Sequence, residues 1–383
     1  MSWTTSTLGS LVERDSGLIQ TGPFGSQLHQ SDYVTEGIPA IMPKDIVDGR
    51  VDSDSVARVS EETALRLRRH QLKPRTIVLP RRGEITKRAF IRDEQTGWLC
   101  GTGCLQIVLG GRLLLPEFLY YYMEQPHVVH WLEQHAVGTT MLNLNTEIVA
   151  SLSVRHPAPD AQQRIADILS SYDDLIENNR RRMALLEAVA QQLYHEWFVR
   201  LRFPGYEHTR ITNGVPKGWE RVPLGDRVTL NYGKALKAED RVGGPYSVYG
   251  SSGVVGSHAK ALTQGPGIIV GRKGNVGSVY WSVKDYWPID TVYFVDAATS
   301  NLWLYYALQH MHFMSTDVAV PGLNRDFAYS RLLLIPPGRI VRDFLDASIP
   351  LHEQKDKLNE MNEKLRAARD LLLPTLMSGE IVV

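Results

Sequence analysis

The residues whose types and spacing best suit chemistry lie on two short basic turns. Arg81-Arg82-Gly83 and Arg272-Lys273-Gly274 each follow an apolar run that reads as a buried strand, IVLP (77–80) and GIIVG (267–271). Cations side by side on such a turn bind phosphate oxygens, and turn amides are free to add donors. The surroundings share the sign. Residues 66 to 92 hold ten Lys or Arg against Glu84 alone, and residues 227 to 284 hold eight against Glu239 and Asp240. One such cluster is ordinary solvation of a face; two at corresponding places are less easily so. Polar loop residues nearby (Gln20, Asn231, Ser251, Ser252 and Asn275) are of types that read base edges or hold phosphates. With Lys87, Arg88, Lys234 and Lys237 from the basic clusters, the expected contact set is Gln20, Arg81, Arg82, Lys87, Arg88, Lys234, Lys237, Ser251, Ser252, Arg272, Lys273 and Asn275.

Other chemistries lack their residues. There is no GxxxxGK[ST] loop and no HExxH, CGTGCLQ lacks the third glycine of a dinucleotide turn, and GPGIIVG has the wrong spacing. Pro336-Pro337 resembles the core of an amino-methyltransferase motif, but Ile335 precedes it and Gly338 follows, so no amide or carboxylate is present to hold a target amine. His127, His130, His310 and His312 read as surface or half-buried histidines. Cys100 and Cys104, in CGTGC, have no second pair to complete a zinc site and read as two reduced thiols in a strand. No catalytic residue and no metal site is expected on this chain.

The elements that must position the basic turns are duplicated. Trp3 precedes Leu8-Gly9 as Trp219 precedes Leu224-Gly225, an offset of 216. PRTIVLPRRGEITKRAFI (74–91) lines up with GPGIIVGRKGNVGSVYWS (265–282), with Gly83 to Gly274 offset by 191. FLYYYMEQ (118–125) matches LWLYYALQ (302–309), Tyr120 to Tyr305 being 185, and Leu144-Asn145 with Pro157 matches Leu323-Asn324 with Pro336 at 179. The falling offset means one plan with early loops of different length. Each half reads as short strands with turn glycines, a modest helix and then a long one.

In the first long helix Ile165, Leu169, Tyr172, Ile176, Asn179, Met183, Leu186, Ala190, Leu193 and Trp197 step by four and three, a heptad seam, with Asp160 as N-cap. In the second, Leu351, Leu358, Leu365 and Leu372 recur every seven, with Met361 and Ala368 between them and Pro374 in the last turns. A helix from 160 to 198 would extend roughly 58 Å, longer than a small domain is wide, so part of its seam must pack on something else; the other long helix, running antiparallel, is the natural partner. The expected boundaries are 1–157, 158–200 for the first long helix, 201–338, and 339–383 for the second.

Length and composition fit this plan. The 383 residues carry 42 basic and 42 acidic side chains, so affinity for a polyanion must be local rather than global. A hydrophobic content of 43% with 22% charged residues excludes extensive disorder. The first residues lack a basic stretch followed by an apolar run, and no window approaches the roughly 18 apolar residues of a membrane span, so no membrane role and a cytoplasmic location are expected.

Taken together, these segments resemble the specificity subunit of type I restriction-modification systems over essentially the whole chain. The residues that carry the resemblance are GPFGSQLHQSDY (22–33), the basic turn at 81–83, GTTMLNLN (138–145) and QQRIADILSSYDDLIENN (162–179) in the first half. In the second they are YGKALK (232–237), YSVYGSSGVVGSH (246–258), GIIVGRKGNVGSVY (267–280) and LRAARDLLLPTLMSGEI (365–381); the second half departs in having Val320-Pro321-Gly322 where the first has Gly138-Thr139-Thr140. The resemblance implies an α+β chain of two similar mixed α/β target recognition domains joined by two long helices forming an antiparallel coiled coil. It implies a non-catalytic reader of double-stranded DNA, each domain taking one half of a bipartite site. Two methyltransferase subunits would bring S-adenosylmethionine and modify adenine, and restriction subunits with ATP and Mg²⁺ would act as motor and nuclease; the chain itself would hold no cofactor. A stand-alone tandem DNA-binding regulator shares the basic faces but has no use for a long partner-binding rod. A nuclease with a cryptic site would cut DNA by itself.

Overall fold

A computed structural model describes residues 2–54, 56–138, 141–311, 313 and 322–383. Thr139, Thr140, His312, Val320 and Pro321, all singled out in the sequence, lie outside the described residues. The chain divides into two compact units, Met1–Asn178 with Asn362–Val383, and Asn179–Met361.

In the first unit an antiparallel sheet has the order Leu18–Thr21, Cys104–Val108, Ile77–Pro80, Ala89–Phe90. In the second unit the order is Asn231–Tyr232, Val292–Val295, Gly267–Gly271, Val279–Ser282. The strand ahead of each basic turn is central and buried on both faces, which is why IVL and IIV are uninterrupted apolar runs. A second sheet pairs Leu99–Cys100 parallel to Ile38–Ile41 in the first unit and Tyr286–Pro288 parallel to Tyr246–Gly250 in the second. A closing ladder joins Thr4–Thr7 to Ser153–His156, and Glu220–Pro223 to Leu332–Ile335.

The duplicated motifs now have physical reasons. Leu8 and Leu224 are fully buried and donate their amides to Leu152 and Arg331. A Cβ on Gly9 would meet Ala150, and one on Gly225 would meet Tyr329 at 2.8 Å, so both glycines permit a close approach. Leu144 and Leu323 are buried, and the asparagine after each caps a short helix: Asn145 Oδ1 accepts from Ile148 N–H and Asn324 Oδ1 from Asp326 and Phe327 N–H.

The cysteines differ from expectation in placement. They lie in two strands of different sheets, Leu99–Cys100 and Cys104–Val108, linked by a Gly101-Thr102-Gly103 turn. Both are buried free thiols, and burial pushes Cys100 up to about 12 and Cys104 well above its ordinary value.

The first long helix spans Pro159–Tyr194 and continues as a π-helical turn, His195–Val199. Pro159 occupies its first position, so Asp160 sits in the first turn instead of capping it; the first bonds run from Ala161 and Gln162 N–H to the Ala158 carbonyl. The second spans Gly338–Ser378 and passes through Pro374. A proline inside a helix costs about 3 kcal/mol. Leu373, Leu376 and Met377 on the same turn are buried in the first unit's core, and each contributes roughly 1.5–3 kcal/mol. Packing therefore wins, and the helix ends where Gly379 takes φ +80°.

The two long helices run antiparallel. Arg369 bonds Asp173 in the first unit and Lys355 bonds Glu187 in the second, so fourteen residues forward on one helix (173 to 187) match fourteen back on the other (369 to 355). Along the first helix Ile165, Leu169, Ile176, Asn179 and Ala190 are buried and Tyr172, Met183, Leu186, Leu193 and Trp197 half-buried, so the whole ladder faces inward. Along the second, Leu358 is buried and Leu351, Leu365, Ala368 and Leu372 half-buried. Met361 departs from expectation: it is 53% exposed, and its neighbour Asn362, 0% exposed, takes the inward position and donates from Nδ2 to the Ile176 carbonyl at 3.2 Å.

Candidate nucleic-acid interface

The two basic turns are alike down to single hydrogen bonds. Gly83 has φ +77° and Gly274 φ +79°, conformations that side chains resist. The Ile85 amide donates to the Gly83 carbonyl and the Val276 amide to that of Gly274. Leu144 N–H donates to the Arg81 carbonyl at 2.8 Å, and Leu323 N–H to the Arg272 carbonyl at 2.8 Å. Each turn is thus pinned to the Leu-Asn segment of its own unit, and that is how the two repeated motifs act together.

The turn amides are less available than the sequence suggested. Arg81 N–H donates to Gly103, Gly83 N–H to Leu142, and both Arg272 and Lys273 N–H to the Thr291 carbonyl. Anion capture at these turns therefore falls on side chains.

Arg82, Lys273, Asn275, Ser252, Lys234 and Lys237 are exposed, the last 3.5 Å from Glu239. Lys87 is half-buried and paired with exposed Glu84, a surface pair worth little and exchangeable for a phosphate. Ser251 joins the hairpin tip between Tyr246–Gly250 and Gly253–His258 to the basic turn: its Oγ accepts from Asn275 N–H, and its carbonyl accepts from Ser278 Oγ at 2.7 Å. The structure thus brings Ser251, Ser252, Arg272, Lys273 and Asn275 to one place. Gln20 is elsewhere, half-buried within the Leu18–Thr21 strand opposite buried Gln106.

Arg88 is the clear departure. It is 8% exposed, its Nε donates to the Tyr120 carbonyl at 2.9 Å, its Nη2 lies 2.8 Å from Glu124, and its guanidinium covers the Tyr120 ring. Its charge is used to hold a helix, not offered to solvent. Composition counts a buried arginine and a surface one alike.

Aromatic rings beside the turns escaped the sequence reading. Phe24, 52% exposed, lies under the Arg81 guanidinium at 5.2 Å, and Arg81 Nε is held by Asn143 Oδ1 at 3.3 Å. Tyr232, also 52% exposed, lies under Arg272 at 5.3 Å and under Arg325 at 5.1 Å. Phe24 lies within GPFGSQLHQSDY (22–33) and Tyr232 opens YGKALK (232–237), segments already singled out in the sequence. Among the described residues no group of three or more His, Cys, Asp or Glu is placed to hold a metal ion, and no helix is long and apolar enough to cross a membrane.

Residues 3–188 match the type I restriction modification DNA specificity domain. Similar proteins include type I restriction enzyme specificity subunits. That of MjaIX from Methanocaldococcus jannaschii is 23% identical over 92% of this chain and 88% of its own length. That of EcoBI from Escherichia coli is 23% identical over 51% of this chain and 43% of its own. The fold is shared with the crystal structure of the type I restriction-modification system S subunit from M. genitalium, at TM-score 0.57 and 18% identity, over 98% of this chain and 96% of that one.

Proposed function

We propose that this chain reads a bipartite DNA site, one half with each unit, as the specificity subunit of a type I restriction-modification complex. The observation that carries the reading is the duplication: two units present the same basic turn, pinned by the same bonds, in a chain whose relatives are specificity subunits. Phosphate contacts fall to Arg81, Arg82, Arg272 and Lys273, with Lys87, Lys234 and Lys237 around them. Base edges fall to Ser251, Ser252 and Asn275, a reading supported by the bonds that tie Ser251 to the second basic turn. Residues 1–157 and 201–338 act as the target recognition domains, and residues 158–200 and 339–383 as the helices that space them and bind two methyltransferase subunits. S-adenosylmethionine belongs to those subunits, and ATP with Mg²⁺ to the restriction subunits that join them, all in the cytoplasm. The chain contributes no catalytic group.

The test is methylation-sensitive sequencing of the host genome with and without this gene, followed by binding of the full chain to the duplex it reveals. A bipartite adenine motif that vanishes with the gene is expected. Robust methyl transfer or cleavage by the purified chain alone would overturn the assignment.

A further inference from the structure

In both units the first arginine of the basic turn lies over an aromatic ring, although the rings do not come from equivalent backbone positions. Gly22 and Gly233 are equivalent: their amides donate to the Cys104 and Val292 carbonyls, and a Cβ on either would strike a carbonyl at 2.1 Å, that of Gly101 or Ile289. Tyr232 immediately precedes its glycine, whereas Phe24 lies two residues after Gly22. The two units therefore reach one arrangement, guanidinium over ring at 5.2 and 5.3 Å, by different local routes. Each ring keeps about half its surface exposed beside clustered cations, a place where a large apolar group gains nothing from water.

Resting on the DNA-reading assignment above, we propose that Phe24 and Tyr232 are apolar DNA contacts, one in each unit. Each ring, backed by its arginine, lies against a sugar–base edge of duplex DNA, while the guanidinium reaches the neighbouring phosphate. Arginine over a ring suits this division: stacking holds each guanidinium in plane, Arg272 Nη2 being further fixed by the Asp290 carbonyl at 3.0 Å, and the exposed part of each ring is left for an uncharged surface. For Arg81 the Asn143 contact engages Nε, so the terminal nitrogens are the ones directed to a phosphate. Phe24 has no polar atom, so its contact is purely one of shape and apolar surface, such as a thymine methyl or a deoxyribose face.

The experiment measures affinity of the full chain for its duplex at several salt concentrations, for Phe24→Ala, Phe24→Leu, Tyr232→Ala, Tyr232→Phe and Arg81→Ala. Loss of a neutral ring should weaken binding on the order of tenfold with the salt slope unchanged, whereas Arg81→Ala should lower the slope by about one. The loss in Phe24→Ala should disappear when the first unit's half-site is scrambled, and that in Tyr232→Ala when the other half is. Tyr232→Phe should bind like the parent, and Phe24→Leu should fall between parent and alanine variant. Thermal melting of each variant at the parent temperature confirms folding, which the exposure of both rings favours. Ring variants that bind within twofold of the parent, or whose salt slope drops, overturn the proposal. A parent chain without salt-dependent duplex binding instead overturns the assignment beneath it.

Discussion

In both units a tyrosine of the repeated helix motif reaches the long helices, but what it meets there differs. In the first unit Tyr121 donates to Asp173 Oδ2 at 2.7 Å, and Arg369 bonds Asp173 and lies 3.6 Å from Glu124, which also holds Arg88. In the second unit Tyr306 meets Glu187 at 3.1 Å and His352 Nε2 at 2.6 Å, and Lys355 bonds Glu187. Burial first, then the neighbouring carboxylate, raises the hydroxyl pKa of both tyrosines, so both remain donors. The first cluster is built from fixed charges with a forked guanidinium at its centre. The second is built around one point charge and a buried imidazole. The same scaffold thus tolerates different polar solutions so long as each buried charge is matched.

The largest expected effect separates the two cations. Arg369→Ala would leave Asp173 with only the Tyr121 hydroxyl and Glu124 with only Arg88, two carboxylates facing each other with one cation between them, and should destabilise the first unit by about 3–5 kcal/mol. Lys355→Ala removes a single partner of Glu187 and should cost about 1–3 kcal/mol. Chemical denaturation with hydrogen exchange resolved by segment measures both; equal losses would erase the contrast.

Next in size, Arg81→Ala/Arg82→Ala and Arg272→Ala/Lys273→Ala should each weaken DNA binding and lower the salt slope by up to about two, at one half-site each. A double variant of either turn that weakens both half-sites equally would show that the units do not read separately.

A smaller effect concerns pH. His352 is held down to about 4, by burial first and then by the Lys355 charge, against the opposing pull of Glu187. A histidine with a folded pKa below its unfolded value of about 6.5 binds its proton more readily in the unfolded chain. Stability is then full above about 6.5 and is lost as pH falls toward 4. Glu187, held below the usual carboxylate range, loses its share lower still. His352→Gln should flatten the second unit's melting temperature between pH 6.5 and 4.5, with the first unit unchanged. A slope that survives the substitution would place the titration elsewhere. Smallest of all, Tyr306→Phe removes one buried hydroxyl that bonds both Glu187 and His352 and, since Glu187 keeps Lys355, should cost about 0.5–1.5 kcal/mol by chemical denaturation.

The repeat, the strand ahead of each basic turn and both long helices were legible because they rest on period and order, which sequence displays directly. What was not legible depended on partners distant in the chain. Arg88 looks like its neighbours until Tyr120 and Glu124 are seen around it. The turn amides look available until Gly103 and Thr291 are seen to accept from them. Apolar counting chose Met361 for the seam, whereas the inward place belongs to Asn362 because Ile176 offers it a carbonyl. Phe24 and Tyr232 were missed because their arginines meet them across the sheet, at offsets no alignment of the halves would match.

The antiparallel pairing of the long helices has a consequence for how the chain avoids misassembly. A leucine every seven residues is nearly blind to displacement by seven, since each leucine would find another in place of its partner. The charges are not blind to it. Asp173 and Glu187 are fourteen apart with Arg180 midway, and Arg369 and Lys355 are fourteen apart on the facing helix. A shift of one heptad in one direction would bring Arg369 opposite Arg180; in the other it would bring Lys355 there. Both shifts also dissolve the two ion pairs. The apolar seam therefore supplies adhesion, and three basic and two acidic residues supply an error-detecting code that only one alignment satisfies.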